Sequence, residues 1–120
     1  NEQGPAPAGS CVLVQTGWNK FWNYKEKYCN NGIFPSVSPE AAELLVERGI
    51  VGLGIDTLSP DREEDGFPVH NILLKNNIYI IENVANADQL PPMSSYIIAL
   101  PLKGEGLTEA PIRLIGLIKK

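Results

Sequence analysis

The chain has 120 residues, 43% of them hydrophobic and 20% charged, the composition of one soluble globular domain and not of a disordered or fibrous segment. Ten Lys and Arg against fourteen Asp and Glu give a net charge of −4, which argues against binding driven by phosphate neutralisation, so no nucleic-acid partner is expected. The longest apolar run, Tyr96 to Leu100, is stopped by Pro101 and falls far short of the roughly 18 residues that cross a membrane.

Asn1 to Ser10 combines Pro and Gly with no large apolar residue and reads as a linker or entry loop. It has neither the basic start nor the apolar segment of a signal peptide, and because the chain opens with Asn and not Met, the expectation is that something upstream has been removed. Cys11 to Thr16 is a β-branched apolar run stopped by Gly17, a buried strand. Cys11 and Cys29 form no C-x-x-C pair and have no histidines around them, which points away from a thiolate zinc site; of the two remaining readings, a disulfide or a buried free thiol at Cys11 in a reducing, cytoplasmic setting, the second is favoured.

Trp18 to Tyr28 carries aromatics among Lys and Asn and reads as a short helix or a wrapped loop. Ser38-Pro39-Glu40 starts a helix with a cap residue, a first-position proline and an acid in the first turn; Gly49 after Arg48 ends it. Ile50 to Ile55 reads as a buried strand in which Gly52 and Gly54 permit close approach of a neighbour. Asp56 to Phe67, with five acids, Pro60 and Gly66, is a loop. Pro68 opens a second helix through about Lys75, and Ile78 to Glu82 is the next strand. Two further strands, Ser95 to Leu102 and Ile112 to Ile118, follow across a Gly-rich turn. Strands alternating with helices as far as residue 82 argue for β-α-β crossovers, and the β-rich end gives an α/β domain with a mixed sheet and helical crossovers.

A parallel crossover puts the carboxyl end of each strand and the amino end of the following helix on one edge of the sheet. His70 lies in the first turn after Pro68, on that edge. From there the helix runs back about 9 Å and the next strand returns about 13 Å, which brings Glu82 to the same edge. Imidazole and carboxylate together suit a Zn, Mn or Fe site or a general acid/base pair; the plainer reading is a capping histidine beside a solvated glutamate. Asp61, Glu63, Glu64 and Asp65 read as a solvated acidic surface that does not match an EF-hand loop. Gly52-x-Gly54 lacks the third glycine of a dinucleotide fingerprint, and no G-x-S-x-G or Walker sequence is present. Trp18, Phe21, Trp22 and Tyr24 read first as packing and second as a substrate pocket.

Val12-Leu-Val-Gln-Thr-Gly-Trp18, Gly54-Ile-Asp-Thr-Leu-Ser-Pro-Asp61, Phe67-Pro-Val-His-Asn-Ile-Leu-Leu74, Ile80-Ile-Glu-Asn83, and Ala99-Leu-Pro-Leu-Lys103 with Ala110-Pro-Ile-Arg113 occur in this order. Together they resemble the carboxyl-terminal half of the cyclase family of metal-dependent hydrolases, which includes kynurenine formamidases and isatin hydrolases. The resemblance covers about residues 10 to 118. It implies a swivelling β/β/α fold, one or two divalent ions, usually zinc or manganese, and His70 and Glu82 as metal ligands. Trp18 would then be a pocket wall.

In that family the remaining ligands and the catalytic histidine sit in an H-x-G-T-H-x-D-x-P segment, which a chain with one histidine does not have. Residues 11–120 are accordingly expected to be half of a cyclase-like domain, carrying no catalytic residue of their own. The complete enzyme would hydrolyse an amide or lactam, as in conversion of N-formylkynurenine to kynurenine. The expected partners are an amide substrate, the missing amino-terminal half or another copy of the chain, and a homo-oligomeric assembly. The alternative is a non-catalytic remnant that serves as a binding or oligomerisation module.

Overall fold

The β-branched run after the entry loop becomes the first of three short parallel strands in a computed structural model that describes residues 4–119. These strands are β1 (Cys11–Val14), β2 (Gly52–Ile55) and β3 (Tyr79–Ile81), in the order β1-β2-β3, with Val14 opposite Ile55 and Gly54 opposite Ile81. Each crossover is helical, through α1 (Lys25–Cys29) and α2 (Pro39–Glu47) before β2 and through α3 (Pro68–Lys75) before β3. The expected short helix or wrapped loop after β1 is both: a 3-10 turn, Trp18–Phe21, and then α1.

The residues that start and stop these helices act as their chemistry requires. The Ser38 side chain accepts from the Ala41 N–H at 3.2 Å with Pro39 behind it, and Gly49 leaves α2 at φ 68. Residues 4–10 form no helix or strand, but Gly9 N–H donates to the Gly49 carbonyl at 2.8 Å and Val51 N–H to the Ser10 carbonyl at 2.9 Å. That ties the entry segment to the start of β2; residues 1–3 of the expected linker lie outside the described residues. Gly54 is required by close approach, since a Cβ there would meet Leu13 Cδ2 at 2.5 Å and Val84 Cγ2 at 3.2 Å.

Ala42 from α2, Leu53 from β2 and Val69 and Leu73 from α3 are fully buried, and Ile50 and Ile78 close the same core. This core belongs to the first of two compact units, which runs to Ala87. The second unit starts at Asp88 and contains an antiparallel hairpin of β4 (Ser95–Pro101) and β5 (Ile112–Ile118), registered from Ser95 opposite Ile118 to Pro101 opposite Ile112. The α/β class therefore holds, with parallel and antiparallel pairing divided between two sheets and not joined in one. Among the described residues no helix is long and apolar enough to cross a membrane.

Candidate metal centre

Because β1, β2 and β3 are parallel and in register, the residues that follow them share one edge: Trp18 after β1, Asp56 after β2 and Glu82 after β3. His70, the third residue of α3, joins them there. His70 Nε2 stands 3.5 Å from Glu82 Oε1, with the two side chains 29% and 31% exposed, so the pair faces outward from the core. The two residues that the chain pattern placed on a common edge are thus brought together.

Behind His70 stands Asp61, whose side chain is 2% exposed. Its Oδ1 accepts from Val69 N–H at 2.9 Å, and its Oδ2 accepts from His70 N–H at 2.8 Å and lies 2.8 Å from His70 Nδ1. The expected solvated acidic loop is therefore divided. Glu63, Glu64 and Asp65 are exposed, as a charged loop surface should be, but Asp56 and Asp61 are buried acceptors. The edge of the Phe67 ring meets the His70 imidazole at 5.8 Å and 89°, with Phe67 itself in the left-handed region at φ 59.

Asp56 organises the neighbouring corner. Its Oδ1 accepts from Thr16 N–H at 2.9 Å and Thr16 Oγ1 at 2.7 Å, and its Oδ2 from Gly17 N–H at 2.9 Å and Trp18 N–H at 3.0 Å. These bonds draw the chain out of β1 after Val14, which is why the strand is shorter than its apolar run. Trp18 lies on this edge, beside Asp56 at the start of the loop that follows β2. Its indole N–H donates to the Tyr28 carbonyl at 2.9 Å and its ring packs edge-on against Phe21 at 5.0 Å.

A cleft of about 210 Å³ beside it is lined by Asn19, Trp22, Tyr28, Asp56, Val84, Ala85 and Asn86. Trp18 is not among its walls; Trp22 and Tyr28 are. The Tyr28 hydroxyl sits 3.0 Å from the Asp56 carbonyl and 2.9 Å from Asn83 Oδ1. Burial, and then the nearby Asp56 charge, push its ionisation up to about 12. Cys11 and Cys29 are both free.

Two donors of one tetrahedral ion, each about 2.0–2.1 Å from it, lie about 3.4 Å apart. The 3.5 Å between His70 Nε2 and Glu82 Oε1 fits that separation, and it is longer than an ordinary hydrogen bond. A nitrogen and a carboxylate oxygen are also the donor types that zinc and manganese accept. Among the described residues no group of three or more His, Cys, Asp or Glu side chains is placed to hold a metal, so the geometry is that of a two-donor face.

Known proteins share this chain's sequence and fold. The sequence model of the cyclase family matches residues 1–62. Isatin hydrolase of Roseibium aggregatum is 34% identical over 99% of this chain and 49% of its own length. Kynurenine formamidase of Polaromonas naphthalenivorans is 35% identical over 68% of this chain and 37% of its own. Among solved structures, isatin hydrolase A from Ralstonia solanacearum superposes with a TM-score of 0.92 at 31% identity, over 98% of this chain and 49% of that one. Another, described as a potential metal-dependent hydrolase with cyclase activity, superposes with a TM-score of 0.79 at 28% identity, over 99% and 56%. The chain spans about half the length of the isatin hydrolases it matches. With the family model covering more than half of the sequence and the fold reproduced over nearly all of it, the chain belongs to the cyclase family.

Proposed function

We propose that this chain contributes His70 and Glu82 as ligands of a divalent ion, zinc or manganese, in a hydrolase that opens an amide or lactam bond. The observation that carries the reading is the 3.5 Å approach of His70 Nε2 to Glu82 Oε1 on the carboxyl edge of a parallel sheet. When bound, such an ion supplies Lewis acidity toward a carbonyl oxygen and lowers the pKa of water. Glu82 brings negative charge to the ion, and His70 brings a neutral nitrogen held from behind by Asp61. In this reading the remaining ligands and the catalytic base come from a polypeptide segment outside these 120 residues. The similarity to isatin hydrolase and kynurenine formamidase favours a small aromatic amide or lactam, with N-formylkynurenine as the first candidate substrate.

Titration of the chain with zinc or manganese chloride tests the ligand pair. Weak binding that both His70→Ala and Glu82→Gln abolish is expected, because a catalytic zinc ordinarily has three protein ligands and this chain offers two. Binding that survives both substitutions removes the reading. The chain alone should not turn over N-formylkynurenine, and turnover that disappears in Glu82→Ala would show that no further segment is needed. The second reading, a binding or oligomerisation module without catalysis, draws on the exposed apolar side chains Tyr96, Leu100, Leu117 and Ile118 of the hairpin. A folded chain that associates with itself and takes up no metal would favour it.

A further inference from the structure

Asp61 does more than end a loop. Two backbone N–H groups at the start of α3, Val69 and His70, bond to its two oxygens, as a helix cap requires. Ser38 caps α2 by accepting from one backbone N–H, that of Ala41. Asp61 differs in a third contact, the 2.8 Å between its Oδ2 and His70 Nδ1. An aspartate carboxylate only accepts hydrogen bonds, so the ring nitrogen that meets it must carry the proton. In the neutral ring the other nitrogen, Nε2, then keeps its lone pair on the side of Glu82.

We infer that Asp61 is a positioning residue that fixes His70 as the Nδ1–H tautomer and presents the Nε2 lone pair to the space shared with Glu82. The Phe67 ring, edge-on to the imidazole at 5.8 Å, braces the same orientation. The assignment of the tautomer stands on geometry alone; its consequence for metal affinity rests on the proposed function. Metal-bound histidines commonly gain both orientation and basicity from such a carboxylate, and its loss typically weakens metal binding by roughly 10- to 100-fold.

The sequence offers a direct test because it has one histidine. Long-range proton–nitrogen NMR of the ¹⁵N-histidine-labelled chain at about pH 8, above the ordinary imidazole range, reads the tautomer without interference. A protonated Nδ1 and an unprotonated Nε2 are expected in the wild type. In Asp61→Asn, whose amide can no longer satisfy all three donors, the spectrum should move toward the other tautomer or a mixture. A wild-type Nε2–H form, a doubly protonated ring, or a folded Asp61→Asn with an unchanged tautomer overturns the inference. A plain helix cap would leave the ring spectrum unmoved, and the wild-type spectrum decides even if Asp61→Asn fails to fold.

Zinc chloride titration of the same samples separates the two readings. Affinity reduced about 10- to 100-fold in Asp61→Asn is the expected result. Equal zinc affinity in the wild type and His70→Ala would overturn His70 as a ligand, and the spectrum would still decide the role of Asp61.

Discussion

In the segment that ends at Ala87, Leu53, Ile55, Val69 and Leu73 are fully buried; from Asp88 on, no described residue is, although β4 and β5 are as apolar as β2. Tyr96 is 78% exposed and Leu100 53%. Composition is therefore not what makes a core. The parallel strands are connected by crossovers that lay α2 and α3 against each other, and Ala42, Val69 and Leu73 from these helices cover Leu53 of β2. A hairpin needs only a short connection between its strands and brings no such layer. Its alternation of half-buried and exposed residues follows the two faces of one ladder. The candidate metal centre lies in the covered unit, where tight packing can hold two donors at a fixed separation.

Truncating one leucine in each unit should separate the two most widely. Leu53→Ala should cost about 3 kcal/mol, since it empties a site in the middle of a close-packed layer. Leu100→Ala should cost less than about 1 kcal/mol, as expected for a half-exposed side chain. Urea unfolding with a constant m value measures both. Equal losses would mean that the hairpin face is covered in solution and that the contrast between the units is not a property of the chain.

The sequence pattern showed where the elements lie because their signals are local. Pro39 and Pro68 each begin a helix, and Ser38 and Gly49 mark the ends of α2. The approach of His70 to Glu82 was legible as well, since a crossover of known rise fixes where a strand returns. Asp61 was not. By sequence it is one acid of a run, while its role comes from where the loop folds back nine residues ahead of His70. A local signal did exist: Phe67 occupies the cap position of α3 and offers no side-chain acceptor, so the first N–H groups of that helix needed one from elsewhere. Whether β4 and β5 extend the parallel sheet was equally hidden, because an apolar run announces a strand and not its neighbour. That is why one mixed sheet was expected where two sheets formed.

Two glycines differ in the same direction by a smaller amount. A Cβ on Gly54 would meet Leu13 and Val84 on a fully buried strand, so Gly54→Ala should lose about 2 kcal/mol through overpacking. On Gly116 it would meet the δ carbons of Leu90, the far end of a flexible and half-buried side chain. Gly116→Ala should therefore cost under about 1 kcal/mol. Thermal unfolding of the two variants gives the ranking, and a reversed order would place the tight packing in the hairpin.

The smallest effect concerns Tyr28, and its main signature lies in alkali. Burial and the Asp56 charge raise its ionisation to about 12 in the folded chain, against about 10 in an unfolded one. Between those values the folded state holds a proton that the unfolded state has released, so stability falls as pH rises. The contribution is fully present below about pH 10 and is lost as pH passes through about 12. Tyr28→Phe should cost only about 1 kcal/mol at neutral pH, the worth of an ordinary hydrogen bond. It should also flatten the alkaline loss of stability. Tyr79, raised to about 12 by burial and by Cys11, supplies a second part of the same slope, so Tyr79→Phe should flatten it further. Denaturation midpoints followed across the alkaline range measure both. If Tyr28→Phe kept the full wild-type slope, the phenol would not be held between the Asp56 carbonyl and Asn83, and the packing beside the cleft would have to be redrawn.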